Sequence, residues 1–203
     1  MRHGTWQDIH PDYALWRRDE FLTANEADGV FATLDHELAW QRPSLVLYGK
    51  RHSIPRSQVW MGEPDAHYRY SAVTFAPAPW HPCVAALRTR IQQAVEAFIG
   101  NLPRFNSVLI NRYADGEQRM GWHSDDEAEL GKNPIIASLS LGRERPMRFR
   151  PKKGMEGDAF NVWLPHGSLL LMGAGVQHQL QHALLPRRLE GGRINLTFRA
   201  IHH

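Results

Sequence analysis

The fold is decided near the C-terminus, where residues 193–200 read Arg-Ile-Asn-Leu-Thr-Phe-Arg-Ala. Apolar and polar side chains alternate strictly along this stretch, and a period of two residues is typical of a β-strand. The apolar face carries Ile194, Leu196 and Phe198. The polar face carries Arg193, Asn195, Thr197 and Arg199. That polar face either meets solvent or lines the interior of a β-barrel, and the strand alone leaves both interpretations open.

Short strands of the same kind fill the C-terminal half of the chain. The alternation starts after Asn106, is clear over 135–141 and recurs at 146–150, 160–164 and 168–172. Glycine and proline residues separate these runs, as an antiparallel sandwich or jelly roll requires. We therefore predict a mainly β fold for this half of the chain.

Two helices are predicted in the N-terminal half. Thr23 and Glu26 have the spacing of a capping box, and Gly100 suits a helix C-terminus. Between these signals, apolar residues recur at helical spacing and are interpreted as core faces rather than interaction surfaces. The two apolar stripes are Ala27, Val30, Phe31, Leu34 and Leu38, followed by Val84, Leu87, Ile91, Val95 and Phe98.

The composition fits one compact soluble domain over residues 1–203. A chain of 203 residues that is 42% hydrophobic can bury a sizeable core. Its formal net charge of +3 permits a polyanionic partner without requiring one. The single cysteine, Cys83, fits a reducing compartment, and no window approaches the ~20 apolar residues of a membrane span. We expect an intracellular monomer, cytoplasmic in a bacterium and able to enter the nucleus in a eukaryote.

A chemical signature lies in residues 121–125, which read Gly-Trp-His-Ser-Asp. His123 and Asp125 are two residues apart, so on an extended strand their side chains project to the same face. With one later histidine they would form a two-histidine, one-carboxylate triad, which leaves three positions on Fe(II) for a bidentate cosubstrate and O2. The alternative is a surface histidine beside an acidic loop, and the motif alone does not decide.

The two arginines of residues 193–200 would complement such a triad. If the polar face turns inward, Arg193 and Arg199 become fixed forks for the two carboxylates of a dicarboxylate such as 2-oxoglutarate, because a planar guanidinium matches a carboxylate bidentately. A metal triad and a dicarboxylate clamp are the two halves of one cofactor system. Their presence together favours the inward-facing interpretation.

Several segments form a joint pattern along most of the chain. They are Asn111-Arg112-Tyr113, His123-Ser124-Asp125, Gln181-His182-Ala183-Leu184-Leu185-Pro186 and residues 193–199, with Tyr48-Gly49-Lys50, residues 52–56 and Pro79-Trp80 upstream. In order and spacing the pattern resembles the AlkB family of nucleic-acid dealkylases, most closely its DNA-repair homologues. The resemblance implies a double-stranded β-helix, the jelly-roll barrel of this oxygenase class, with flanking helices. Residues 1–105 would then supply nucleotide recognition and supporting helices, and residues 106–203 the catalytic barrel core.

The same resemblance implies the cofactors, Fe(II), 2-oxoglutarate and O2, and the residues that bind them. The catalytic iron ligands would be His123, Asp125 and His182. The sequence Ala-Leu-Leu-Pro after His182 favours it over His166 and His178. The 2-oxoglutarate site would consist of Asn111, Tyr113, Arg193, Asn195, Thr197 and Arg199.

Eight residues lie where the family contacts its substrate: Tyr48, Gly49, Lys50, Tyr68, Arg69, Tyr70, Asp126 and Glu127. A base inside a duplex must be flipped out, and Tyr70 and the His123 ring would hold it between them. Tyr48 would wedge into the gap that the base leaves. Core packing of the tyrosines and solvation of the two acidic residues are the alternatives.

Cationic side chains cluster where a phosphate backbone could run. Three flank the predicted wedge and six occupy residues 143–153, and we expect them to make sequence-independent, salt-sensitive phosphate contacts. A solvated basic face is the alternative. The nine residues are Lys50, Arg51, Arg56, Arg143, Arg145, Arg148, Arg150, Lys152 and Lys153.

The activity implied by the family is oxidative dealkylation of 1-methyladenine and 3-methylcytosine in alkylated DNA, with release of an aldehyde, succinate and CO2. Alkylation disrupts base pairing, which makes such a base easier to extrude. RNA is an alternative substrate. The rival functions are a 2-oxoglutarate oxygenase acting on RNA, protein or a small molecule, and a non-catalytic nucleic-acid-binding module.

Overall fold

The computed structural model describes residues 5–47, 50–66, 68–70 and 73–202. Its helices are α1 Ala24–Glu37, α2 Pro82–Ile99 and α3 Val176–Gln179, with a 3-10 turn at Ala128–Leu130. Its strands are β1 Trp6–Asp8, β2 Leu15–Arg18, β3 Ser44–Leu47, β4 Lys50–Ser53, β5 Ser57–Gly62, β6 Tyr68–Tyr70, β7 Val73–Phe75, β8 Ser107–Tyr113, β9 Met120–His123, β10 Ile136–Gly142, β11 Arg145–Pro151, β12 Phe160–Leu164, β13 Leu169–Met172, β14 Leu180–Leu184 and β15 Arg193–Arg199.

Two antiparallel sheets form the body of the protein. The larger has the strand order β1-β2-β13-β10-β15-β8-β5, and the smaller has the order β12-β11-β14-β9. Buried side chains from both sheets pack together, for example Ile136 and Leu170 of the larger sheet with Phe149 and Val162 of the smaller. This two-layer arrangement confirms the predicted mainly β, jelly-roll fold with flanking helices.

Helices α1 and α2 cover the outer face of the larger sheet. The capping box is confirmed: the Glu26 amide donates to Thr23 Oγ1 at 3.3 Å, and the Thr23 amide donates to the Glu26 carboxylate at 2.8 Å. Gly100 ends α2 with a φ of 86°, which favours glycine. The stripe of α2 is buried except at Phe98, which is 38% exposed and stacks on Trp6 of β1.

Strand β15 lies between the apolar core under the helices and a polar pocket between the two sheets. Its apolar residues pack into the cluster under the helices, and its polar residues line a pocket between the sheets. All seven residues are buried, so the prediction that the polar face turns inward is confirmed. The site is therefore built on a central strand held on both sides by β10 and β8.

The N-terminal half contributes strands to the barrel as well as helices. Strands β1, β2 and β5 extend the larger sheet at its two edges, next to β13 and β8. Two small hairpins, β3-β4 and β6-β7, stand outside both large sheets. No helix in the described ranges is long and apolar enough to cross a membrane.

Candidate active site

Pairing of β9 with β14 brings two histidines together. His123 and His182 are directly opposite each other in the antiparallel register, and their ring centroids lie 4.2 Å apart. The carboxylate of Asp125 joins them, so that one ligand atom from each of the three residues lies within 4.8 Å of the others. Two histidines that are 59 positions apart in the sequence, together with Asp125, thus present a compact set of nitrogen and oxygen donors.

The loop after β9 orients Asp125, which differs from the geometry expected from sequence. The strand ends at His123, so the two side chains do not share one strand face as predicted. Instead, the Asp125 amide donates to Gln177 Oε1 at 2.9 Å, and Ser124 Oγ donates to the Leu180 carbonyl at 2.9 Å. These bonds fix the loop to α3 and to the start of β14.

Burial and neighbouring charge set the protonation state of the acidic ligand candidate. Asp125 is 3% exposed, and burial alone would raise its pKa. The cation of Arg199, which donates to Asp125 Oδ1 at 2.7 Å, outweighs that effect together with the two histidines and lowers the pKa below its usual value. Asp125 is therefore ionised at neutral pH, and its Oδ2 is buried without a hydrogen-bond partner among the described residues.

The surroundings of the two histidines favour metal binding. Burial, with the adjacent His123, lowers the pKa of His182 to about 3, so its ring is uncharged at neutral pH. His123 Nδ1 donates to the Gly121 carbonyl at 2.8 Å, which leaves Nε2 with its lone pair available. A neutral imidazole nitrogen is the form that binds a metal.

The competing histidines lie elsewhere and have other partners. His166 accepts the Gly142 amide at 2.8 Å and lies 3.2 Å from the Asp28 carboxylate. His178 is exposed and bonds the Lys132 carbonyl. Among the described residues, only His182 of these three candidates lies beside His123 and Asp125.

Arg193 is a buried cation whose charge has no ionic partner within the described part of the chain. It is 1% exposed and donates to Ser140 Oγ at 2.8 Å, while its Nε has no hydrogen-bond partner there. Burial lowers the pKa of Arg193 to about 10, which still leaves it charged at neutral pH. Because an unpaired buried charge is costly, this guanidinium favours an anionic ligand in the pocket.

The polar side chains around Arg193 form a continuous lining. Tyr113 of β8 lies opposite Arg193, and Asn111 lies opposite Asn195, so the four share the pocket as predicted. Burial raises the pKa of Tyr113, which keeps its phenol protonated as a hydrogen-bond donor. Thr197 donates to Asn195 Oδ1 at 3.0 Å and so fixes the orientation of that amide.

Two arginines that were predicted to contact phosphate are buried instead. Arg145 is 1% exposed, donates to the carbonyls of Gln118 and Leu185 at 2.8 Å each, and lies 5.5 Å above the Tyr113 ring. Arg56 is 7% exposed and donates to the Asn111 carbonyl oxygen Oδ1 at 2.7 Å. The prediction was wrong for both: Arg145 faces inward on β11, and Arg56, in the turn before β5, is drawn inward by its bond to Asn111.

Other pocket residues carry no signal of their own in the sequence. They are the serine Ser138 and four apolar side chains, Met120, Met147, Met172 and Leu184. The inward direction of Arg145 could have been predicted from strand alternation, since Arg145 lies on the same face of β11 as the buried Met147 and Phe149. Gln177 lies in a four-residue helix that no periodicity announces.

The predicted substrate residues are only partly visible. Tyr48 and Gly49 lie outside the described residues, and for Lys50, Tyr68, Arg69 and Tyr70 the structure describes the strands β4 and β6 but not the side chains. Asp126 is exposed and pairs with Lys152 at 2.7 Å, and the partly buried Glu127 precedes the 3-10 turn. Both acidic residues therefore directly follow Asp125, at the edge of the site.

An open groove leads to this site from the surface. It has a volume of about 390 Å³ and is walled by residues 52–56 on one side and residues 119–123 on the other. Because His123 belongs to its wall, a molecule in the groove contacts one of the three clustered side chains directly.

Comparisons with known proteins agree with this geometry. The model of the 2OG-Fe(II) oxygenase superfamily matches residues 18–199. The DNA oxidative demethylase ALKBH2 of Mus musculus is 36% identical over 98% of this chain and 83% of its own length. The Bos taurus "Alpha-ketoglutarate-dependent dioxygenase alkB homolog 3" is 36% identical over 90% of this chain, which spans only 64% of that protein.

The fold recurs at low sequence identity. The structure of OsALKBH1 superposes with a TM-score of 0.63 at 18% identity, covering 97% of this chain and all of that one. An oxidoreductase of the 2OG-Fe(II) oxygenase family from Burkholderia pseudomallei gives the same TM-score at 14% identity, over 92% and 84% of the two chains. The superfamily uses Fe(II), 2-oxoglutarate and O2. The chain belongs to this superfamily and, within it, to the AlkB family.

Proposed function

We propose that this protein removes alkyl groups oxidatively from 1-methyladenine and 3-methylcytosine in alkylated DNA. The observation that carries the proposal is that His123, Asp125 and His182 share one pocket with the buried, ionically unpaired Arg193. A demethylase acting on DNA is the named function of a relative that is 36% identical over 98% of the chain.

The donor set of the pocket fits Fe(II). Asp125 Oδ2 and His182 Nδ1 are buried polar atoms without partners among the described residues, and a bound metal would supply the missing interaction for the carboxylate. Two neutral imidazoles and a carboxylate are the ligands of a facial triad with open positions. His123, Asp125 and His182 would therefore hold the iron, and His182, neutral at physiological pH, binds without first losing a proton.

The polar face of β15 would hold 2-oxoglutarate. Arg193 supplies the uncompensated positive charge for one carboxylate, and Tyr113 supplies a protonated phenol beside it. Arg199 would orient the other end while keeping its bond to Asp125. Asn111, Asn195 and Thr197 would complete the cradle. Bound Fe(II) and 2-oxoglutarate together activate O2 for the oxidation of the alkyl carbon.

The chain's own contribution to the reaction is placement. Paired strands fix the two histidines, the arginines and the tyrosine, and the bond to Gln177 fixes Asp125, so the reactants would meet without rearrangement of the pocket. Methionine side chains make part of the pocket wall apolar. The alkylated base would enter along the groove past His123.

The predicted substrate contacts remain part of this proposal. They are a wedge and its flank at Tyr48, Gly49 and Lys50, base and backbone contacts at Tyr68, Arg69 and Tyr70, and acidic contacts at Asp126 and Glu127. The continuity of the groove with the active site supports them. We further propose that the protein acts as a monomer, with residues 1–203 as one domain.

Mass spectrometry of short oligonucleotides tests the function. Oligonucleotides carrying 3-methylcytosine or 1-methyladenine, single- and double-stranded, DNA and RNA, are incubated aerobically with the protein, Fe(II), 2-oxoglutarate and ascorbate. We expect loss of one methylene mass from the DNA substrates and no loss with His182→Ala. Succinate formation without demethylation would reject the substrate while keeping the oxygenase, and demethylation of RNA alone would move the activity to RNA.

A further inference from the structure

Trp122 lies where the open groove meets the active site. It precedes His123 on β9, and both residues belong to the same wall of the groove. Adjacent residues are only about 3.8 Å apart along the backbone. Consecutive side chains of a strand project to opposite faces, but both of these line the groove, so a nucleic-acid strand along it could place one nucleotide at His123 and the next at the Trp122 indole.

Arg150 holds the indole in position. Its guanidinium carbon lies 4.1 Å from the centroid of the Trp122 ring, which is cation–π contact. The guanidinium is itself fixed, because Nε and Nη2 donate to Gln181 Oε1 at 3.1 and 2.9 Å. Arg150 and Gln181 are opposite each other in the β11-β14 register, so the strands of the smaller sheet set the position of the ring.

The surroundings of Trp122 carry positive charge. Arg119 is exposed on the same wall of the groove, and its amide donates to the Pro55 carbonyl of the facing wall at 3.0 Å. Arg150 is also exposed, and Gln181 offers it an oxygen rather than a carboxylate. A polyanionic strand is thus electrostatically favoured here, and Arg150 can contact a phosphate without breaking an ion pair with the residues that the structure describes.

We propose that Trp122, held by Arg150, is the stacking platform for a base that directly neighbours the flipped, alkylated base. The proposal rests on the proposed function, since it requires a nucleic-acid strand in the groove. Stacking on an aromatic ring tolerates any base, because every base has a π face. That tolerance suits an enzyme whose lesions arise in every sequence context.

The first test removes the neighbouring base and leaves the protein unaltered. Affinities are measured by fluorescence anisotropy for single-stranded oligonucleotides with a central 3-methylcytosine and an intact neighbour, a 5′ abasic neighbour or a 3′ abasic neighbour. For the unaltered protein we expect one of the two abasic sites to weaken binding about ten-fold, the usual size of a base–aromatic stack. No weakening at either position would overturn the proposal, and this arm needs no protein variant.

A double-mutant cycle then assigns the effect to Trp122. Trp122→Ala should weaken binding of the intact oligonucleotide about ten-fold, and the abasic site should add nothing further in this variant. Trp122→Phe should retain most of the affinity, because it keeps a ring. Fully additive losses would show that the base stacks elsewhere and would overturn the proposal.

Trp163 provides a matched control. It is 50% exposed on β12 of the same sheet and does not belong to the groove. Trp163→Ala should leave the affinity and the abasic effect unchanged. An equal loss in Trp163→Ala would contradict the assignment. Demethylation by the unaltered protein, measured in parallel, separates a failure of this platform from a failure of the proposed function.

Discussion

At the scale of single residues, the pocket is defined by charges that are buried before any ligand binds. Asp125 is compensated by Arg199 at 2.7 Å, whereas Arg193 has only neutral hydrogen-bond partners within the described part of the chain. Keeping a guanidinium buried in that state costs free energy that the folded protein recovers only when an anion arrives. The imbalance makes Arg193 the residue with the strongest expected effect on cosubstrate binding.

Replacing Arg193 with alanine should separate cosubstrate binding from nucleic-acid binding. We expect Arg193→Ala to raise the KM for 2-oxoglutarate about ten-fold or more, because a charge-assisted hydrogen bond is lost in a buried site. The Kd for an alkylated oligonucleotide should change by less than about two-fold, because Arg193 does not line the groove that would hold the strand. Steady-state kinetics and anisotropy measure the two quantities, and equal weakening of both would mean that this strand face is misassigned.

Gln177 should act on the metal through Asp125. It is 1% exposed, and its side chain accepts the Asp125 amide and donates to Met172 Sδ. We expect Gln177→Leu to lower the affinity for Fe(II) or Mn(II) about ten-fold or more, as for other residues that orient a metal ligand. Metal titration of the folded variant measures this effect.

The matched control for that change is Gln179→Leu on the same short helix. Gln179 is exposed, and Asp125 makes its bond to Gln177 instead. The metal affinity of the Gln179→Leu variant should equal that of the unaltered protein. If both variants lost affinity equally, the cause would be disturbance of α3 rather than loss of the bond to Asp125.

At the scale of elements, two strand pairings do most of the positioning. The β9-β14 register brings His182 opposite His123, and the β15-β8 register brings Arg193 opposite Tyr113. A shift of one residue in either pairing would turn every side chain of the strand to the other face. Burial of the apolar face of β15 beneath the helices opposes a shift of that strand.

Helix α1 contributes stability through its cap and lies outside the pocket. Thr23→Ala should reduce the free energy of unfolding by about 1 kcal/mol, because the Glu26 amide loses its acceptor. Denaturant unfolding measures the change, and turnover per folded molecule should stay constant. Thr89→Ala, within α2, is the control: its hydroxyl donates to the Ala85 carbonyl, and alanine there should be neutral or stabilising. Equal loss in both variants would contradict a specific role for the cap.

The sequence predicts these elements well where one period dominates. Alternation along residues 193–199 identified the inward face of β15, and Thr23 with Glu26 identified the start of α1. It failed where position depends on distant contacts. Nothing in the sequence near Asp125 indicates that Gln177 fixes it. Strand parity separates Arg145 from Arg150, but it does not show that Arg145 donates to three carbonyls.

At the scale of the whole molecule, the two sheets hold an apolar cluster at one part of their interface and the polar pocket at another. The pocket is lined by residues of β8, β9, β10, β11, β13, β14 and β15, so ligands that bind there bridge both sheets. Unfolding would separate all of these strands. Ligand binding should therefore stabilise the entire barrel rather than one loop.

Metal and cosubstrate together should raise the melting temperature. With each ligand at about 100 times its Kd, binding to the folded state alone raises the free energy of unfolding by about 2.7 kcal/mol per ligand. For a protein of this size, each such gain raises the Tm by roughly 5 to 10 °C. Anaerobic thermal unfolding with Mn(II) and 2-oxoglutarate measures the shift. His182→Ala should abolish the metal-dependent part, and an undiminished shift in that variant would place the metal elsewhere.

The central claim is that one metal is held by His123, Asp125 and His182, with 2-oxoglutarate anchored by Arg193. The most direct measurement is a crystal structure of the protein grown anaerobically with Mn(II) and 2-oxoglutarate, in which anomalous scattering locates the metal. We expect a single strong peak bound by these three side chains, with a carboxylate of the cosubstrate paired to Arg193. A peak bound by other residues, or a cosubstrate that avoids Arg193, would contradict it.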